Sequence, residues 1–194
     1  MGRSTRKGAA RKQEIIKTAL HLAENTPFED INVSDICEAA SISIGGFYHY
    51  FNRKNDILIV LFGMMEEYLA SEVFPLFSKD EPIKSLKIFA HYWASHIYEH
   101  GTGFARQLTT LTPLEYDRMG HPHETRLLLA ELFQAGQDLG HIPKTFESKR
   151  MVDLFLIAIR GVVSDWARRN GSYSLVDTMD DFVRFFLTFS NFPQ

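Results

Sequence analysis

The sequence predicts an all-α protein, with an N-terminal three-helix helix-turn-helix unit and a larger helical domain after it. Three observations point there. Apolar residues recur at three- and four-residue steps along nearly the whole chain, and strand-like alternation never lasts more than a few residues. Residues 43–51 gather four aromatic rings and a histidine with no carboxylate among them, more rings than so short a helix can bury alone. Basic charge is concentrated at the N-terminal end.

Residues 1–54 hold eight Lys or Arg against six Asp or Glu, a surplus of +2, whereas residues 55–194 hold 13 against 18, a deficit of −5. The overall charge of −3 conceals this asymmetry. Arg3, Arg6, Lys7, Arg11 and Lys12 form a basic arm suited either to solvation or to phosphate and minor-groove contact. At 194 residues folding should bury roughly 70% of the unfolded surface, and 45% apolar with 23% charged residues is ordinary for a globular protein. No run of about 18 apolar residues and no secretory leader is apparent, so a cytoplasmic protein without a membrane partner is expected. The single cysteine, Cys37, falls in an apolar helical pattern and reads as a small buried hydrophobe.

A first helix is expected over residues 10–25, with Ile15, Ile16, Ala19, Leu20 and Ala23 on one face and Pro27 closing it. Asn32 is a good N-cap and Asp35 favours the positive helix end, so a short helix should cover 33–40, with Ile36, Cys37 and Ala40 inward. Ser41 and Ile42 make a turn, and Ser43 caps a third helix, which should run over 44–50. Two short helices joined by a tight turn, closed by a longer one, form a helix-turn-helix. Such a unit presents the start of its second short helix to the major groove.

The exposed candidates on that helix are Ile44, Gly46, Phe47, Tyr48, His49 and Tyr50, with Ser43 at its cap and Asn32 and Ser34 at the start of the helix before it. Tyr48 and His49 carry polar tips that reach a phosphate, while Phe47 and Tyr50 fit core or groove equally, and Phe51 should turn inward as an anchor. Gly45 and Gly46 let the backbone come close to a partner.

A fourth helix is expected over 53–73, with Leu58, Leu61, Phe62, Met65 and Leu69 inward, Asn52 as its cap and Pro75 interrupting it. It would act as a rod between the DNA-reading unit and the larger domain. Helices over 82–100, ended by Gly101 and Gly103, over 104–111 and over 123–139 should form the walls of that domain, with a loop around 113–122. Phe62, Met65, Trp93, Phe104, Tyr116 and Phe133 would suit a pocket for an apolar small molecule, although aromatic residues at helical spacing also make ordinary core. Helices over 146–170 and 175–192 carry Met151, Phe155, Ala158, Val162 and Trp166, then Phe182, Phe186 and Phe189. Faces this apolar predict a four-helix interface between two copies, with Gly161 permitting close approach; intramolecular burial is the alternative.

The stretch VSDICEAASISIGGFYHYFNRKNDIL at 33–58 resembles the DNA-binding region of the tetracycline-repressor (TetR) family of one-component bacterial regulators. The resemblance covers about the first 60 residues. It implies an all-helical homodimer in which residues 1–54 form the DNA-binding domain and residues 55–194 a ligand-binding and dimerisation domain. Tyr48, His49 and Tyr50 fall on the family's Tyr-His-Tyr-Phe signature, and Lys54 on its phosphate-contacting lysine. The implied partners are a double-stranded DNA operator and a small-molecule effector, with no cofactor.

Departures from the family pattern locate what is particular to this chain. Ser41 and Ile42 stand where Gly and Val are usual, so a left-handed Ser41 would carry a modest steric cost. Ile44 and Gly46 replace polar residues, leaving thymine methyls or DNA shape as means of reading sequence. His96, His100, His121 and His123 invite a metal test, but no cysteine or paired carboxylate strengthens the pattern and no metal is expected. No nucleophile motif, phosphate loop or paired-carboxylate arrangement favours an enzyme, and a sequence-blind DNA packager would need a far more basic chain.

Overall fold

The computed structural model describes residues 3–110 and 124–189, all helices and connecting turns. Tyr116, His121, His123 and the loop expected around 113–122 lie outside the described residues, as does the side chain of Phe189. The order is α1 Arg3–Leu22, α2 Val33–Ala39, α3 Ile44–Tyr48, α4 Asp56–Tyr68, α5 Pro82–Thr110, α6 Glu124–Asp138, α7 Ser148–Arg168 and α8 Leu175–Phe189. Helix α1 starts at Arg3, so the basic arm is helical backbone from there on. A short 3₁₀ turn at Phe28–Asp30 comes after the first helix and buries Phe28.

The start of α2 is built as its residues require. The Asn32 amide donates to Asp35 Oδ2 at 2.7 Å, satisfying a donor that the helix itself leaves open. At its end Ser41 adopts φ 51°, the left-handed conformation that the turn demands. The Ile42 amide reaches Cys37 O at 2.9 Å and the Ser41 amide Glu38 O at 3.1 Å, the paired bonds of a Schellman ending. Arg11 Nη2 adds bonds to Ser41 O at 3.0 Å and Ala40 O at 3.3 Å. This arginine therefore holds the turn, which removes it from the arm's expected DNA contacts. Cys37 is buried as expected, and burial pushes its thiol pKa up.

Helix α4 begins later than the sequence predicts. Asp56 Oδ2 accepts from the amides of Asn52 (2.9 Å) and Arg53 (3.0 Å), so the capping side chain is Asp56 and Asn52 is capped by it. The helix then passes into a π-helical turn at Leu69–Val73 and a 3₁₀ turn at Phe74–Leu76. Pro75, which lacks an amide and crowds the carbonyl four residues back, accounts for the loss of regular α geometry there.

Helix α5 breaks where the sequence predicts: Gly101, at φ 81° and ψ 177°, divides it into two limbs, the second running to Thr110. Gly103 serves as a contact point and does not end the helix, since a Cβ on it would lie 2.3 Å from Leu20 O of α1. The larger domain is assembled around α5, which packs on α6, α7 and α8. One apolar core runs without a break from Ile15 in α1 to Leu187 in α8.

Burial corrects the expected two-copy interface. Met151, Phe155 and Trp166 are inside the protomer, with Phe155 fully buried against the rings of Phe89, Phe133 and Phe186. Ala158, Val162, Phe182 and Phe186 are half-buried. What α7 and α8 leave outside is a different apolar set: Ile157 at 62% exposure, Phe185 at 57%, and Gly161 with open space beyond it.

The left-handed Ser41 generates a stability prediction. Ser41→Gly relieves a Cβ clash and should raise stability by about 1 kcal/mol. Urea denaturation checks it; an unchanged or lower midpoint would show that the turn is unstrained.

Candidate nucleic-acid interface

Helix α3 is only five residues long and depends on its cap and its anchor. Ser43 Oγ accepts from the Gly46 amide at 3.0 Å, fixing where the helix starts. Phe47 has no exposed surface and packs on Phe51 at a centroid distance of 5.3 Å, while Phe51 is itself 3% exposed. The expectation that Phe47 faces DNA is therefore corrected: a short helix needs an inward ring, and Phe47 supplies it. Tyr50 is half-buried beside His49, the two rings meeting edge to face at 5.0 Å.

The outward side carries Ser43, Ile44 (55% exposed), Tyr48 (52% exposed) and His49, with Gly46 partly covered. Asn32 and Ser34 are exposed at the start of α2. Gly45 is exposed, and a Cβ on it would meet nothing closer than Ser43 Oγ at 4.0 Å, so the backbone at this point lies bare. The head thus presents a mixed apolar and polar tip without a carboxylate among these residues.

Lys54 requires a second correction. Its ammonium donates to Phe28 O at 2.5 Å, Ile31 O at 2.7 Å and Glu29 O at 3.0 Å, and sits 4.9 Å from the centre of the Phe28 ring. All three N–H donors are engaged in closing the turn after α1, so Lys54 is a clamp inside the head. Arg53, which sequence reasoning passed over, keeps a side chain 79% exposed next to the reading helix, its Nε 3.5 Å from Asp56. Its signal is a cation two residues after the Tyr-His-Tyr-Phe run, masked by the capping pattern around it.

Arg106 makes a seam between the head and the larger domain. Arg106, on the second limb of α5, donates through Nη1 to Ala23 O (3.0 Å) and Glu24 O, just beyond α1. Its Nη2 reaches Ala167 O in the last turn of α7 (3.1 Å) and Asn170 Oδ1 beyond it (2.6 Å). A cleft of about 440 Å³ opens beside it, lined by Glu24, Pro27, Ser164 and Arg168 among others.

Of the residues expected to touch an effector, Phe62, Met65, Trp93, Phe104 and Phe133 all lie in the core, none more than 8% exposed. The clefts found among the described residues are lined by other side chains, including two on α5 and α8 that share Lys87 and Arg184. The histidine pair is closer to chemistry. His96 and His100 have ring centroids 4.3 Å apart, and His100 Nδ1 bonds to His96 O at 2.8 Å. Burial, with His100 alongside, lowers the His96 pKa to about 4, so the ring is neutral at physiological pH. No group of three or more His, Cys, Asp or Glu able to hold a metal occurs among the described residues.

Comparison with known proteins agrees with this architecture. Residues 15–61 match the model of the family described as bacterial regulatory proteins, tetR family. Over 164 residues the chain is 23% identical to the transcriptional regulator AcuR of Cereibacter sphaeroides, covering 78% of this chain and 74% of that protein. The fold is similar to that of the transcriptional regulator FadR from Bacillus subtilis in complex with stearoyl-CoA, with a TM-score of 0.69 at 17% identity over 91% of this chain and 97% of that one. It is equally similar to AibR in complex with isovaleryl coenzyme A and operator DNA, with a TM-score of 0.70 at 16% identity over 90% and 97%. The matched head, with Tyr48 and His49 exposed beside a capped five-residue helix, is similar to the N-terminal region of bacterial regulatory proteins of the tetR family, and the larger domain shares the fold of regulators of that kind.

Proposed function

We propose that this chain is a transcriptional repressor that binds a palindromic operator as a homodimer and leaves it when a small, largely apolar effector occupies the larger domain. Residues 1–54 act as the DNA-binding domain and residues 55–194 as the effector and dimerisation domain. The observation that carries the reading is the exposed tip formed by Ser43, Ile44, Tyr48 and His49 on a rigidly capped helix. In this reading Tyr48, His49 and Arg53 contact phosphates, Asn32 and Ser34 support them from α2, and Ile44 packs on thymine methyls while the bare backbone at Gly45 permits close approach.

The exposed Ile157, Gly161 and Phe185 support a two-fold contact through α7 and α8. Half-sites about 34 Å apart would then be read by two copies of α3, and a shift of a few ångströms between the copies spoils simultaneous docking. Acyl-CoA thioesters, whose acyl chain is the small apolar part that enters the larger domain, are the proposed effector class, supported by the stearoyl-CoA and isovaleryl coenzyme A held by two proteins of the same fold.

Selection from a random duplex pool should return a palindrome, footprinted over two half-sites and bound at least about 10³-fold more tightly than scrambled DNA. Tyr48→Ala or His49→Ala should weaken operator binding about tenfold or more, and micromolar lauroyl-CoA should release the wild type. Equal affinity for scrambled DNA would refute the operator; retention in lauroyl-CoA would refute the effector class.

Lys54 gives a separate expectation. Lys54→Met should lower stability by about 1–3 kcal/mol through the lost carbonyl bonds, yet leave the slope of log affinity against log salt unchanged. A slope smaller by about one unit would return Lys54 to the DNA backbone.

A further inference from the structure

His96 Nε2 is buried and, among the described residues, has no hydrogen-bond partner. Leaving a buried imidazole nitrogen unpaired is unfavourable, and such an atom persists where something else completes it. Its surroundings are otherwise well made. The Tyr68 ring stacks on the imidazole at 4.0 Å and 17°, and Phe104 meets it edge to face at 6.2 Å. His100 braces the same turn through its bond to His96 O. A hydrogen-bond partner approaches an imidazole in the plane of the ring, so it would meet Nε2 while Tyr68 stays on the face.

We propose that His96 Nε2 anchors the acyl carbonyl of the effector, the neutral carbonyl of a thioester or ester at the head of an apolar chain, and that Tyr68 passes the event into α4. The proposal rests on the effector-responsive reading and names the atom at which it acts. In the Nε2–H tautomer the ring donates to a carbonyl oxygen. Being neutral at physiological pH, it lacks the charge that would favour a carboxylate over a carbonyl.

The route from this atom to DNA is short. Tyr68 is the last residue of α4, and the π-helical turn Leu69–Val73 begins directly after it. Single π-helical turns interrupt the regular hydrogen-bond ladder and recur at functional sites. Any tilt of His96 toward a ligand is transmitted through the stacked ring to a helix end already freed from α geometry. At the other end of α4, Asp56 holds the amides of Asn52 and Arg53, immediately after the reading helix. A displacement of α4 along its axis therefore pulls on the segment that positions α3.

The test uses the full-length dimer and a fluorescent operator, titrated with lauroyl-CoA, methyl dodecanoate and dodecanoate. Response is the ratio of operator Kd with and without probe, so that each variant is its own reference. The two neutral-carbonyl probes should raise the wild-type Kd at least tenfold, and dodecanoate should act far more weakly. His96→Phe keeps the aromatic stack but lacks the nitrogen, and its affinity for both probes should fall at least tenfold. His96→Gln keeps an amide donor and should recover part of the loss. In ¹⁵N-histidine spectra the His96 Nε2 resonance should move on adding methyl dodecanoate while that of His141 stays still. His96→Phe responding like the wild type, an unmoved His96 resonance during operator release, or a stronger response to dodecanoate than to the ester would each overturn the proposal while leaving the effector reading intact. A wild type deaf to all three probes would overturn this proposal and the acyl effector class together.

Discussion

The contact between α1 and the second limb of α5 is the constraint on which the rest of the molecule depends. The end of a helix leaves carbonyls without intrahelical donors, and here the carbonyls just beyond α1 are met by the guanidinium of Arg106. The same group holds the end of α7, so one planar cation joins the reading head to a helix that also bears the exposed apolar face. Gly103 makes this possible by bringing two backbones closer than any side chain would permit. Because these are charge-assisted bonds with fixed directions, the head has a set attitude on the larger domain, and a movement of α5 must be accommodated at this seam.

Within the head, two cations are turned to backbone carbonyls. Arg11 holds the carbonyls of the turn between α2 and α3, and Lys54 those of the turn after α1. Both positions look from the sequence like DNA contacts, and both supply donors to backbone groups that would otherwise lack them. Among the described side chains, the exposed tip beside α3 carries a histidine, a tyrosine and an isoleucine, with Arg53 next to it.

Much of the fold was legible in the sequence because helices declare themselves locally. The capping pair Asn32 and Asp35, the left-handed Ser41 and the cap at Ser43 all act within a few residues, and all stand as the sequence predicts. Errors arose where a side chain chooses between near and distant partners. Lys54 bonds carbonyls more than twenty residues earlier, and no spacing rule reveals that. An apolar stripe likewise says that a helix is covered without saying by what. Met151, Phe155 and Trp166 on α7 face the protomer's own core, whereas Ile157 and Gly161, a few residues away, face outward. Phe47 met the same ambiguity on a helix too short to show a period. The kink at Gly101 was legible as a break, but its purpose lies in the approach of α1, which only the fold reveals.

The most direct test of this account is the operator affinity of Gly103→Ala, measured beside its thermal stability. The substitution lies away from the proposed DNA face and adds one methyl group, yet that methyl would meet the Leu20 carbonyl at 2.3 Å and must displace the seam. The variant should stay folded and helical while its affinity for the operator falls at least tenfold and its release by effector is altered. Unchanged affinity and unchanged release in a folded Gly103→Ala would contradict it, because the head would then be reading DNA independently of how it is seated.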